Sequence, residues 1–212
     1  MKNAAITAPA LILGMLLTGS VTAAEPTSSK HAMPGATTEE KSEVGAEGKS
    51  AAAVKVSTIT ATVESVDPKT RMVGIVGPDG KSFVLQAGEH VRNLAQVKVG
   101  DKVKIEYYEG LVAEMQPPGT PGELSTSKAM ARAKPGERPA GAVGEAVTAT
   151  VVIDFVDTLR DVVHFTGPLG KTHIVKVKRP QFKEMLKKLK PGDKVNLTYF
   201  EAVAVSVEPA KK

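Results

Sequence analysis

Two carboxylates recur in matching surroundings: Glu109 ends the run Tyr107-Tyr108-Glu109, and Glu201 ends Tyr199-Phe200-Glu201. Paired carboxylates can divide general acid and base work, but only when both reach the same substrate. In two separate domains that requires a shared cleft. Without one, each glutamate is a surface residue holding a tight bend between two strands. Tyr108, Glu109, Phe200 and Glu201 therefore form a candidate repeated bend site, read either as a ligand contact or as a structural corner.

Other catalytic patterns fail on inspection. Gly80-Lys81-Ser82 and Gly170-Lys171-Thr172 look like the end of a phosphate-binding loop, but such a loop needs a glycine five residues before its last glycine. Ile75 and Phe165 stand there instead. No Gly-x-Ser-x-Gly elbow and no His-Glu-x-x-His helix occurs, and the four histidines lie away from nucleophile motifs. No catalytic residue and no cofactor is expected, and the chain reads as a non-enzymatic protein.

The one strongly asymmetric feature is basic. Lys171, Lys176, Lys178, Arg179, Lys183, Lys187, Lys188 and Lys190 crowd a span whose only acid is Glu184. The matching earlier span holds only Lys81, Arg92 and Lys98, with Glu89. Such a cluster is either a candidate surface for an anionic partner or the solvated face of a basic protein. Aromatics are 4% of the chain and tryptophan is absent, which argues against base- or sugar-stacking surfaces.

The chain that carries these residues has 212 positions and a formal charge of +5. Residues 1–24 have the parts of a secretory signal: Lys2, the apolar run Ala10 to Leu17, and small residues at Val21 to Ala24. The run is too short for a membrane span, which takes roughly 20 apolar residues, so no transmembrane segment is expected after cleavage. There is no cysteine, hence neither a lipid anchor nor a disulfide framework. An exported protein meets envelope proteins, anionic lipids and acidic glycans rather than nucleic acid, and its expected location is the periplasm.

Glu25 to Ala53 is polar and aperiodic and predicts a disordered leader. The span 117–144 is rich in proline and glycine and predicts a linker, with a short helix possible over Leu124 to Ala133. The rest is a duplication. Thr60-Ala-Thr-Val63 matches Thr148-Ala-Thr-Val151, and Gly77-Pro-Asp-Gly-Lys81 matches Gly167-Pro-Leu-Gly-Lys171. Gly100-Asp-Lys-Val103 matches Gly192-Asp-Lys-Val195.

Each copy predicts three strands, a non-strand segment and two more strands. In copy one these are Thr58 to Val66, Met72 to Val76, Ser82 to Leu85, then Glu89 to Val97, Lys102 to Tyr108 and Leu111 to Met115. In copy two the non-strand segment is a helix, because Phe182, Met185, Leu186 and Leu189 make one apolar stripe. The fold class is all-β with short helices, as two tandem five-stranded OB-like barrels at residues 54–116 and 145–209. An SH3-like barrel is the competing arrangement.

With its Gly-Pro-x-Gly-Lys hairpins, Gly-Asp-Lys-Val turns and Tyr-Tyr-Glu bend, the ordered chain resembles a group of uncharacterised exported two-repeat proteins of Gram-negative bacteria. That resemblance implies a periplasmic location and carries no implication about activity. Each copy more distantly resembles the small periplasmic OB-fold copper-binding proteins of metal efflux systems. Their Cu(I) sites use a His, a Met-x-Met pair and a stacking Trp, and soft ligands suit that ion. Here Trp and Met-x-Met are lacking, and Met72 and Met115 read as core residues. His90, His164 and His173 do not repeat between copies, and His31 with Met33 is a weak alternative. No metal site is therefore assigned. A small-ligand or copper-type carrier remains the alternative to a binding or scaffolding module.

Overall fold

The computed structural model describes residues 36–89 and 91–210. They form one open antiparallel sheet of ten strands, with a single short α-helix. The all-β class follows. Strands β1 (Thr37–Val44), β2 (Ser50–Asp67), β3 (Met72–Val76), β4 (Ser82–Gln86) and β5 (Lys102–Met115) belong to copy one. Copy two supplies β6 (Leu124–Arg132), β7 (Ala140–Asp157), β8 (Val162–Thr166), β9 (Thr172–Lys176), helix α1 (Pro180–Leu186) and β10 (Lys194–Glu208).

Both copies are built the same way. One edge of β2 pairs with β5, while its other edge is shared by β1 and β3. Likewise β7 pairs with β10 on one edge and with β6 and β8 on the other. Bulges at Val63/Ser65 and Ile153/Phe155 bend the long strands where their outer partner changes. The repeated turns have side-chain reasons. Asp67 accepts the amides of Lys69 and Thr70, and Asp157 those of Leu159 and Arg160. Gly100 and Gly192 both sit at φ 91°, a conformation that favours glycine, and the following aspartates accept the amides of Lys98 and Lys190.

The copies join through β5 and β10, paired from Lys102↔Glu208 to Met115↔Val195. Glu109 faces Glu201, its own counterpart in the other copy, so a pseudo-two-fold axis passes through that pair. The strands run straight through it. The tight bend expected at Tyr108-Glu109 and Phe200-Glu201 is absent, because β5 is held on both edges, by β2 and β10. The two short strands expected there are one long strand in each copy.

Three more expectations change. The leader expected to reach Ala53 contains β1 and the start of β2. All eight positions of β1 are exposed, so its order comes from backbone pairing rather than from a hydrophobic period. The expected helix over Leu124 to Ala133 is strand β6, which takes the outer edge of β7 that would otherwise lack a partner. The remaining connector is fastened to copy one. Asn93 donates to the carbonyls of Lys134 and Glu137 at 2.9 and 2.7 Å, and Arg138 bridges Asp101 and the Val207 carbonyl. Burial opposes charge on Asp101, but the Lys98 amide and the Arg138 guanidinium outweigh it and hold the carboxyl below its usual range.

The core is shared across the repeat boundary. Ala61, Val63, Val73, Ile75, Leu94, Val97 and Val103 form one cluster, against which Val207 of copy two packs. Val151, Ile153, Val163, Met185, Leu186 and Val195 form the other, together with Ala51 and Ala113 of copy one. Side chains alternate along a strand, so Val103, Ile105, Ala113 and Met115 share one face of β5. Both clusters therefore lie on the same side of the sheet, at opposite ends of the long strands. Phe200 and Ala146 form a third cluster on the other side, with Val54, Tyr108 and Val112 against it.

Candidate functional site

Between the two core clusters the sheet carries a row of charge. Pairing places Glu40, Lys55, Glu109, Glu201, Glu145 and Lys128 side by side across β1, β2, β5, β10, β7 and β6. The outermost pair is reversed between copies, Glu40 opposite Lys55 in one and Lys128 opposite Glu145 in the other. Lys128 and Glu145 form an ion pair.

Carboxylates directly opposite each other repel. At the axis that repulsion is relieved by tyrosines on the same face, two residues along each strand. The Tyr199 hydroxyl donates to Glu201 at 2.8 Å and to Glu109 at 3.3 Å. Tyr107, its counterpart, also bonds Glu201. Burial raises both phenols far above the ordinary value, the hydrogen bonds to Glu201 add to it, and the neighbouring carboxylate charges add more. Both stay protonated donors across the physiological range, so neither serves as a base.

Of the expected bend residues, the structure brings Glu109 and Glu201 together and separates them from Tyr108 and Phe200. The latter two lie on the opposite face; Phe200 is buried, and Tyr108 packs against its cluster. A bend would bring Tyr108 and Phe200 beside the glutamates; the continuous strands do not. In a continuous strand the neighbour on the same face is two residues away, which selects Tyr107 and Tyr199.

Beside this row, on the copy-two side, lies an open groove of about 460 Å³. Tyr107, Glu145 and Glu201 line it with Met130, Val143 and Val203. The symmetry-related rows offer Ser42 and Ala53 where Met130 and Val143 stand, so the apolar wall belongs to copy two.

The basic cluster is arranged around α1. Pro180 suits the first helical turn. Met185 and Leu186 are each 2% exposed, and Phe182 and Leu189 pack against the same core. This leaves Lys187, Lys188 and Lys190 exposed, close in sequence to Lys176, Lys178 and Arg179 at the end of β9, while Lys171 lies in the exposed β8–β9 hairpin. Carboxylates face several of these cations: Asp161 pairs with Lys183 at 2.6 Å, Glu184 with Lys187 at 2.7 Å, and Glu40 with Arg179 at 3.4 Å. The patch is thus less basic than its sequence suggests.

His164 stands edge-on to Phe155 at 5.2 Å, and His173 stacks on Phe165 at 5.4 Å. His31, Met33 and His90 lie outside the described residues. Met72, at the start of β3, is exposed rather than part of the core, because its side chain points away from the Val73 and Ile75 cluster neighbours, whereas Met115 packs against the copy-two core. Among the described residues, no group of three or more His, Asp or Glu side chains is placed to hold a metal ion. No helix among them is long and apolar enough to cross a membrane. Compared with protein-family models, curated proteins and solved structures, the chain matches none of them.

Proposed function

We propose that this is a non-enzymatic binding protein of the periplasm, built from two OB-like units, which contacts an anionic partner through the basic face of copy two. The observation that carries the reading is α1. Its apolar stripe is spent on the core, so the lysines opposite are held at the surface on a packed element. Copy one has only a single 3-10 turn, Leu94–Gln96, in that place. An OB-like unit is supported by the long bent strands β2 and β7, each paired with the next strand and with the one after the helical segment. The fifth strand is accounted for by β5 and β10 running on past the unit to join the copies. The signal-like start of the sequence supports export.

Binding to vesicles containing phosphatidylglycerol is the direct test. Low-salt binding should weaken steeply as ionic strength rises, since charges more than roughly 8 Å apart are screened at physiological salt. Replacing Lys187, Lys188 and Lys190 together by glutamate should weaken it at least about tenfold with little change in melting temperature, because exposed pairs contribute little to stability. Binding that ignores salt, or a triple variant that binds like the parent, would sink the proposal.

The groove favours a second reading, a small-ligand carrier. Its volume falls in the range of ligand sites, and it joins an apolar wall to a few polar groups. Glu201 and the Tyr107 hydroxyl would meet a cationic or hydrogen-bonding head, with Met130, Val143 and Val203 along an apolar tail. A hydrophobic amine that quenches tyrosine fluorescence in the parent should lose at least about tenfold in affinity on Val143→Asp, by loss of the apolar wall. Equal quenching in both would remove the groove from consideration.

A further inference from the structure

We propose that β4 is a self-association edge, on which a second copy of the chain pairs its own β4 antiparallel about Val84. Among the described residues β4 has one ladder partner, β3. The Gly77 amide donates to the Lys81 carbonyl and the Ala87 amide to the Arg71 carbonyl, at 2.9 and 2.8 Å. Hydrogen-bonded pairs alternate along an antiparallel ladder, so Phe83 and Leu85 direct their backbone groups to β3. Ser82, Val84 and Gln86 direct theirs outward, as a row open to another strand.

The side chains on this edge are apolar and uncovered. Phe83, Val84 and Leu85 are 51%, 65% and 48% exposed. Phe83 and Leu85 stand opposite Ile75 and Val73, on the side of the sheet where the copy-one core lies, yet nothing among the described residues closes over them. In copy two the corresponding Val175 packs with Phe182 of α1 against its core, and Lys171, Lys176 and Lys178 surround that edge. Charge of that kind deters edge-to-edge pairing. Copy one keeps Lys81 in the place of Lys171 but lacks the helix, and Gln86 and Gly88 stand where Lys176 and Lys178 do. Arg71 instead ties the following loop back, donating to the carbonyls of Ala87, Gly88 and Val91. Along the path of strands from β4 to β9, the β9 end is protected and the β4 end is bare.

A second copy is the occupant the edge itself fits. An antiparallel register centred on Val84 sets Val84 against Val84, Phe83 against Leu85 and Ser82 against Gln86. No charged side chain enters the paired segment, and the open backbone rows meet donor to acceptor. Phe83 of each chain would extend the other's core cluster past Leu85. The result is a closed two-fold dimer rather than a filament, because the contact is isologous and the β9 edge is guarded.

The chain contains no cysteine, so Val84→Cys carries the sole thiol. Facing residues of such a pair lie about 5.5 Å apart at Cα. A short bis-maleimide should therefore link two Val84→Cys chains efficiently, and should link Ile174→Cys chains, altered on the β9 edge, poorly. Sedimentation supplies the second arm. Val84→Pro removes an outward amide and leaves the β3–β4 ladder intact, so it should raise the dimer dissociation constant at least about tenfold without lowering the melting temperature. A parent chain that stays monomeric at its highest soluble concentration would overturn the proposal and leave the edge to a strand from another protein. Equal linking of the two cysteine variants, or a Val84→Pro dimer as tight as the parent's, would overturn it as well.

Discussion

Replacing Gly110 with valine is expected to lower the melting temperature by roughly ten degrees, through an overpacking cost of about 3 kcal/mol. Gly110, in β5, pairs with Phe200 of β10 on one edge and with Val54 of β2 on the other. A Cβ built on it would overlap the Phe200 ring and stand 2.9 Å from the Ala53 carbonyl oxygen. Neither neighbour can yield easily. The Phe200 ring is buried, and the carbonyl belongs to the backbone of the adjoining strand. The related position in β10 is Ala202, opposite Tyr108, so each side of the axis sets a small residue against a large ring. The strand continues through this glycine where the sequence predicts a bend. Its role is to leave space. Thermal denaturation of Gly110→Val, Phe200→Ala and the double variant checks the assignment. The double should lose less than the sum of the singles, since removal of the ring relieves the clash; strict additivity would place the cost of valine elsewhere.

The second large effect is that neither copy should fold alone. A chain of residues 36–116 loses Val207, and with it the β10 partner along the whole of β5. A chain of residues 117–210 loses Ala51 and Ala113 from its core and the β1 and β2 surfaces on which α1 rests. Each half would expose a long strand edge and an incomplete core of fewer than about 100 residues, where stability is already marginal. Circular dichroism and amide spectra of the separate halves should show unfolded chains, and mixing them should restore the sheet spectrum and a cooperative melt. A separate half with the melting temperature of the whole would show that the copies are independent domains.

Much of the local structure is legible in the residues. Strands β3 and β8, both Gly-Pro-x-Gly hairpins and the turns at Asp67 and Asp157 depend on contacts within a few positions. Glycine, proline and aspartate govern those contacts directly. The start and apolar face of α1 were legible for the same reason, since a 3.6-residue period records which side is buried. Strands β1 and β6 were not. Their side chains are mostly exposed, so burial leaves no period, and their order rests on backbone pairing with β2 and β7.

The candidate site was half legible. Glu109 and Glu201 were chosen from their repetition, and the structure places them face to face. Tyr107 and Tyr199, which hydrogen-bond them, were passed over in favour of Tyr108 and Phe200 because a bend was assumed where the strand continues. The cations of copy two are visible in the sequence as charge, but not as the partners of Asp161, Glu184 and Glu40, two of which come from other elements.

By itself the sequence determined the duplication, the β class, the hairpins and which copy carries the helix, all from short-range chemistry repeated twice. Tertiary structure alone decided that the copies share a sheet, that their cores exchange residues, and that the repeated glutamates meet on an axis. Those features depend on the register of β5 against β10, a contact between residues about 90 positions apart. Such pairing is carried by backbone groups that every residue but proline possesses, so it leaves little mark on residue type.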